Sequence, residues 1–312
     1  MTSEELNYQR PFVLLSIFFI SSLVSLSLNS IPSGKSRVNK KEIMRPELAM
    51  PIVFVPGPEI KAQAYMVKIV GVDRPILSQR EWKRLAPASL TKILTAVLAK
   101  ETLPADEKIT FSEEAKKTEE KLSPTKAGDT FLRDEVIKLA LVGSFNDAAL
   151  ALAESIGKSK GKINFAERLA IFKTIANEKT HLLELQNSEF KNPIGLDEDD
   201  HYATAEDLVK LAEYVWLRHS DLWIISRQIE TVIKTENGIE YKIANTNELL
   251  KEFPAILGSK TGFTDNAKGT LLLLYPVRPN KTVIIVILGS EDRFGDGRKI
   301  IQWLDPLEVN PY

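Results

Sequence analysis

The 312-residue chain contains no cysteine. That excludes a disulfide framework, thiolate metal ligands and a cysteine nucleophile together. Histidine is nearly as scarce: His181, His201 and His219 stand far apart with no H-E-x-x-H or comparable spacing, so they read as ordinary surface or loop residues. Neither charge sign dominates, the formal net charge being -1, and no basic tract of helix length occurs, which argues against a nucleic-acid partner. There is no internal repeat, and no low-complexity tract outside one linker. What is present is the make-up of a globular protein, 44% hydrophobic and 27% charged, in a chain long enough for a sizeable core. No metal and no cofactor is called for.

The N-terminus departs from this pattern. From Pro11 to Ile31 the chain is apolar with interspersed serines and has no polar face, so residues 1–31 read as a signal anchor or signal peptide. A span of about twenty residues suits an uncleaved anchor; Ser25-Leu26-Ser27 would serve as a small-x-small cleavage site. Residues 32–61, with Pro32, Gly34, Pro46, Pro51, Pro56, Gly57 and Pro58, resist helix and sheet alike and form a linker. Its apolar Ile52-Val53-Phe54-Val55 would also allow an arm packed on the domain.

A single domain is expected over 62–306, followed by a short tail at 307–312. Ala62 to Val70 and Pro75 to Gln79 read as strands joined at Gly71-Val72-Asp73-Arg74. Helices are expected at Arg133 to Leu141, Ala148 to Ile156, Phe165 to Ala176, Ala205 to Arg218 and Arg298 to Leu304. Ser144, three residues before Asp147, has capping-box spacing. Thr270 to Tyr275 and Thr282 to Leu288 are apolar throughout, as adjacent strands covered on both faces would be. Strands at both ends of the chain, with helices between, bring the ends together in one sheet. Trp216, Trp223 and Trp303 read as packing residues.

The chemistry centres on the helix that begins at Ala86-Pro87-Ala88-Ser89-Leu90-Thr91-Lys92. Its apolar positions Leu90, Ile93, Leu94, Val97 and Leu98 recur at helical spacing, and the i, i+3 offset sets the Lys92 ammonium over the Ser89 hydroxyl. A serine needs a base to become a nucleophile, and a lysine becomes one only when desolvation or a nearby cation lowers its pKa. By itself Ser-x-x-Lys is also the pattern of an N-cap serine with a surface lysine. Two further elements follow downstream, Ser144-Phe145-Asn146 and Lys260-Thr261-Gly262.

With these motifs the chain resembles the D-alanyl-D-alanine carboxypeptidase family, low-molecular-mass penicillin-binding serine peptidases of the bacterial cell wall. The resemblance covers roughly residues 60–306. It extends to Phe190-Lys191-Asn192-Pro193-Ile194-Gly195-Leu196, His201-Tyr202-Ala203-Thr204-Ala205-Glu206-Asp207-Leu208 and Asn245-Thr246-Asn247. It implies an α+β, β-lactamase/transpeptidase-like fold: an antiparallel sheet flanked by helices, a mostly helical subdomain, and the active site in the cleft between. Ser89 is then the nucleophile and Lys92 its base. Lys260 supplies a second positive charge that depresses Lys92 and draws the substrate carboxylate. Ser144 relays protons to the leaving amine, and Asn146 holds the substrate amide. Thr261 binds the terminal carboxylate, and Gly262 leaves room for close approach of substrate. The N–H groups of Ser89 and Phe263 form the oxyanion hole.

The implied partners are peptidoglycan stem peptides ending in D-Ala-D-Ala, β-lactam antibiotics as covalent inhibitors, and the cytoplasmic membrane through the N-terminal segment, on its outer face. Lys35, Arg37, Lys40, Lys41 and Arg45 follow the apolar stretch, and flanking positive charge favours the cytoplasmic side; the catalytic motifs take precedence over that count. Two positions depart from the family pattern. Phe145 stands where a small residue is usual, which would make the cleft wall bulkier. Lys281-Thr282 stands where an arginine is expected to help hold the substrate carboxylate. A serine β-lactamase is disfavoured because Glu189 with Asn192 has the wrong spacing to activate a deacylating water. A murein D,D-endopeptidase using the same site, and a non-catalytic murein- or penicillin-binding protein, remain as alternatives.

Overall fold

The structure, a computed structural model, describes residues 56–277 and 280–305. The apolar N-terminal segment, its basic flank, the linker up to residue 55 and the tail at 307–312 lie outside the described residues. The end of the linker is docked: Lys61 N–H donates to Asp296 at 3.0 Å, and Lys299 Nζ donates to the Glu59 carbonyl at 3.0 Å. Among the described residues no helix is long and apolar enough to cross a membrane.

Strands β1 (Ala64–Ile69), β2 (Leu77–Gln79), β7 (Gly258–Thr264), β8 (Lys268–Val277) and β9 (Lys281–Ser290) form one antiparallel sheet in the order β2-β1-β9-β8-β7. The first strands of the domain thus pair with the last. The period of two along a strand explains why β8 and β9 are apolar throughout. Leu272, Leu274, Ile284 and Val286 turn to the helical side, while Leu271, Leu273, Ile285 and Ile287 turn to the opposite face, under α9 (Arg293–Leu304) and the short α8 (Leu249–Glu252). Each face packs into its own apolar cluster.

On the helical side the central element is α1 (Thr91–Thr102), whose residues from Thr91 to Ala99 are all buried. Around it lie α3 (Arg133–Leu141), α4 (Asn146–Ser159), α5 (Phe165–Leu182) and α6 (Ala205–Arg218). Helices α3 and α6 coincide with the expected ranges; α5 and α9 extend beyond theirs, α9 because Asp292 accepts from Gly295 N–H and starts the helix five residues early. Two small hairpins complete the domain, β3 (Lys108–Thr110) with β4 (Thr130–Leu132), and β5 (Glu230–Lys234) with β6 (Glu240–Ala244), together with the one-turn α2 (Glu113–Lys116) and α7 (Ser220–Ser226).

Three local expectations are corrected. Ser144 does not cap α4: the N-cap position is Phe145, with no side-chain cap bond, and Asp147 instead accepts from Ser123 N–H, Ser123 Oγ and Lys116 Nζ. His201 is a buried residue, 5% exposed, with its Nε2 3.1 Å from Thr91 Oγ1 and its ring edge-on to Phe190. The Phe145 ring folds back over Gly143, where an added Cβ would lie 2.2 Å from it, and packs against the helical core.

Candidate active site

Ser89 lies on a 3-10 turn, Ala88–Leu90, that leads into α1. The turn is pinched between two glycines. A Cβ on Gly262 would fall 2.7 Å from Ser89 N and 2.9 Å from Ala88 Cβ, and one on Gly195, at φ 87°, would fall 1.9 Å from the Ala88 carbonyl oxygen. Gly262 is therefore required by the approach of the protein's own nucleophile turn. The same approach sets the Ser89 N–H beside the peptide that joins Gly262 to Phe263.

Lys92 is fully buried, and its Nζ meets three oxygens: Ser89 Oγ at 2.8 Å, Asn146 Oδ1 at 2.8 Å and the Ile194 carbonyl at 2.7 Å. Burial first, and repulsion from Lys121 second, hold its pKa well below the ordinary 10.5, against an opposing pull from Asp147. The shell explains what the neutral amine would do. Asn146 Oδ1 and the Ile194 carbonyl can only accept, so they retain its two N–H groups. The lone pair is left facing Ser89 Oγ–H. Asn146 is thus committed at both ends, because its Nδ2 donates to the Glu119 and Glu120 carbonyls at 3.3 Å each. In this arrangement it orients Lys92, and its Oδ1 keeps a second lone pair.

Across the cleft, Lys260 on β7 is also buried and donates from Nζ to Ser144 Oγ at 2.6 Å and to the Thr261 carbonyl at 2.8 Å. Burial, then Lys92, Lys121 and Arg293, push its pKa well below the ordinary value. Ser144 reaches it because its backbone is left-handed, φ 59°, which turns the hydroxyl inward. Thr261 Oγ1 lies 2.6 Å from Thr246 Oγ1, which gives the Asn245-Thr246-Asn247 segment a definite place: Asn245 Nδ2 clamps the Ser226 and Gln228 carbonyls, and Thr246 stands behind Thr261. Phe263 leaves its ring half exposed at the rim of a cavity of about 260 Å³ that is also bordered by Leu196 and Asp197. All eight residues singled out from the sequence therefore converge on one cleft between sheet and helices.

Sequence reasoning missed two cations and a carbonyl. The Ile194 carbonyl carries no side-chain signature. Arg293, the first residue of α9, lays its side chain across Gly269 of β8, where a Cβ would meet Arg293 Cβ at 3.0 Å and Cδ at 3.3 Å. Gly269 pairs with Phe263, so the Arg293 stem lies beside the end of β7, and its guanidinium carbon stands 4.6 Å from the centroid of the Phe294 ring. Its Nε is buried without a hydrogen-bond partner among the described residues. Lys121, on the loop between α2 and β4, is the other.

Comparison with known proteins is consistent with this geometry. A profile of the D-alanyl-D-alanine carboxypeptidase family, peptidase S11, matches residues 53–292. The chain is 31% identical over 229 residues to the D-alanyl-D-alanine carboxypeptidase DacF of Bacillus subtilis, covering 72% of this chain and 56% of that one. It is 28% identical over 231 residues to a D-alanyl-D-alanine endopeptidase of Pseudomonas aeruginosa, covering 71% and 70%. Among solved structures, the Streptomyces K15 DD-transpeptidase superposes with a TM-score of 0.74 at 26% identity, over 80% of this chain and 98% of that one.

Proposed function

The chain belongs to the D-alanyl-D-alanine carboxypeptidase family, and from that premise we propose that it is a serine-type D-Ala-D-Ala carboxypeptidase trimming peptidoglycan pentapeptide stems. The observation that carries the reading is the Lys92 shell, in which two obligate acceptors leave one lone pair for the Ser89 hydroxyl.

In this mechanism the substrate lies along the β7 edge, with its terminal carboxylate against Thr261, Lys260 and Arg293. Ser89 Oγ attacks the carbonyl between the two D-alanines while Lys92 takes its proton; general-base assistance of this kind contributes about 10²- to 10⁴-fold. The N–H groups of Ser89 and Phe263 stabilise the oxyanion, each such donor being worth about 10²- to 10³-fold. Ser144, held by Lys260, passes a proton to the departing D-alanine amine, and water then hydrolyses the acyl-enzyme. A β-lactam enters the same path and stalls at the acyl stage. The N-terminal segment, outside the described residues, would hold the domain at the outer face of the cytoplasmic membrane.

D-alanine release from a pentapeptide stem, with and without benzylpenicillin, tests the reading. Release that penicillin blocks is expected; no release by the native protein would overturn it. The likeness to the Pseudomonas endopeptidase favours one second reading, cleavage of cross-linked stems at the same serine, which a cross-linked dimer offered in the same assay would reveal.

A further inference from the structure

Asp197 has no part in the mechanism above, yet it ties the two walls of the cleft together. From the sheet wall, Thr264 Oγ1 donates to its Oδ1 at 2.8 Å and Asn266 N–H to its Oδ2 at 3.3 Å. Both donors lie in the three residues after Phe263, at the tip of the β7–β8 hairpin. That tip has little support from the sheet. β7 is an edge strand whose ladder to β8 ends at Thr264 with Lys268, and the pairing of β8 with β9 is already irregular between Gly269 and Leu271. Ala267 N–H donates to Thr264 Oγ1 at 3.0 Å, so the side chain that shapes the turn is also the one that reaches Asp197.

On the helical wall, Asp197 ends a segment fixed to the nucleophile turn. The Pro193 carbonyl accepts from Thr95 Oγ1 at 2.7 Å, the Ile194 carbonyl accepts from Lys92 Nζ at 2.7 Å, and Gly195 lies against the Ala88 carbonyl. The Asn192 side chain knots the segment from within. Its Oδ1 accepts from the Ile194 and Gly195 N–H groups at 3.3 and 2.8 Å, and its Nδ2 donates to the Leu196 carbonyl and to Glu198 Oε2 at 3.1 Å each. The carboxylate that holds the hairpin tip is therefore three residues from the carbonyl that holds Lys92.

An exposed hydrogen bond adds little to folding, because water replaces it readily. Position is another matter, since a reacting group misplaced by about 1 Å costs on the order of 10²-fold in rate. We propose that Asp197 is a positioning residue for acylation: it holds the hairpin tip against the segment that seats Ser89 and Lys92, and so keeps the Phe263 N–H beside the Ser89 N–H, where the oxyanion forms. This rests on the peptidase reading. In this role Asp197 acts through Phe263 and Ser89 without touching the reacting atoms. Glu120 and Asp265 border the same cavity, and Glu198, Asp199 and Asp200 follow in the chain, so its charge is one among several and its hydrogen bonds are what set it apart.

Substitution separates the two. Asp197→Asn removes the charge and keeps an acceptor for Thr264, Asp197→Ala removes both, and Thr264→Val removes the facing hydroxyl. Stopped-flow acylation by benzylpenicillin over a range of concentrations yields the limiting rate and the half-saturating concentration separately, and the affinity of a peptide boronic acid bound to Ser89 reports the oxyanion donors without turnover. Asp197→Ala is expected to lower the limiting rate about 10-fold, a fraction of the 10²- to 10³-fold that a lost donor costs. It should weaken the boronic acid by a similar factor, with the half-saturating concentration and Tm nearly unchanged. Asp197→Asn should stay within about 3-fold of native, because the Thr264 bond survives. The Asp197→Ala, Thr264→Val double variant should be no slower than the slower single variant, as for two members of one contact. Undiminished acylation by Asp197→Ala, an equal loss in Asp197→Asn, additive losses in the double variant, or a loss confined to the half-saturating concentration would each overturn the proposal. If the native enzyme released no D-alanine from a pentapeptide, the peptidase reading would fall, and the penicillin kinetics would still decide the role of Asp197.

Discussion

Replacing Gly262 by alanine adds a single methyl group at the point where sheet and nucleophile turn meet. That methyl would sit 2.5 Å from Thr270 Oγ1, 2.7 Å from Ser89 N and 2.9 Å from Ala88 Cβ. Ordinary contact begins at 3.4 Å, so the Ser89 amide would have to retreat by about 0.7 Å. The turn cannot yield toward the other side, where the Ala88 carbonyl already abuts Gly195. β7 is held in turn by its ladder to β8, in which Gly262 pairs with Thr270. The strain of inserting a methyl into such a contact is about 1–3 kcal/mol, which lowers Tm by a few degrees in a domain of this size. The kinetic effect should be larger, because misplacing a reacting group by about 1 Å costs on the order of 10²-fold. The displaced group here is one of the two oxyanion donors and sits on the nucleophile itself. Stopped-flow acylation by a fluorescent penicillin, with a thermal melt on the same sample, separates the two effects. Acylation about 10²-fold slower with a small loss of Tm is expected. Unchanged acylation would refute the reasoning, since the turn and strand would then not be in the contact described.

Three further outcomes follow from the charges. Acylation needs neutral Lys92, so its rate should rise with pH through the depressed pKa of that residue and level off well below the ordinary 10.5; a rise centred near 10.5 would show that Lys92 is not held down. His201, whose pKa is lowered by burial from 6.5 to about 4, is buried neutral. The unfolded chain therefore binds more protons between those values, and about 3 kcal/mol of stability should be lost as pH falls from 6.5 through 4. Urea melts of native protein should show that loss, and His201→Gln should flatten it. Arg293→Gln should raise KM for a D-Ala-D-Ala peptide by about 10-fold or more, as expected for loss of a charge-assisted bond to a carboxylate, with little effect on a C-terminal amide substrate.

The parts of this molecule legible in the sequence are those whose physics is local. The 3.6-residue recurrence of Leu90, Ile93, Leu94, Val97 and Leu98 marks a buried helix, and the unbroken apolar runs of β8 and β9 mark strands covered on both faces. Ser89 and Lys92 are brought together by one helical turn. Ser144 and Lys260, 116 residues apart, meet only through the fold; their motif order, through the family resemblance, placed them in one site. The β5–β6 hairpin is hard to read because its alternation runs for only five residues per strand, with one fully buried side chain in each, Ile233 or Ile243, and with the apolar Val232 facing out. Ser144 and Asp147 match a capping box in spacing, yet each has a stronger partner elsewhere, Lys260 for one and Lys116 with Ser123 for the other. Arg293 is not legible for a related reason: it is one charge among many in a charged, turn-rich stretch, and only tertiary structure packs it against Gly269.

The central claim is that Ser89 is the nucleophile made reactive by Lys92, and peptide mapping of the protein trapped with benzylpenicillin tests it most directly. A single penicilloyl adduct on the peptide containing Ser89 is expected, absent in Ser89→Ala and formed far more slowly in Lys92→Met. An adduct on any other residue, or undiminished labelling of the Ser89→Ala protein, would contradict it.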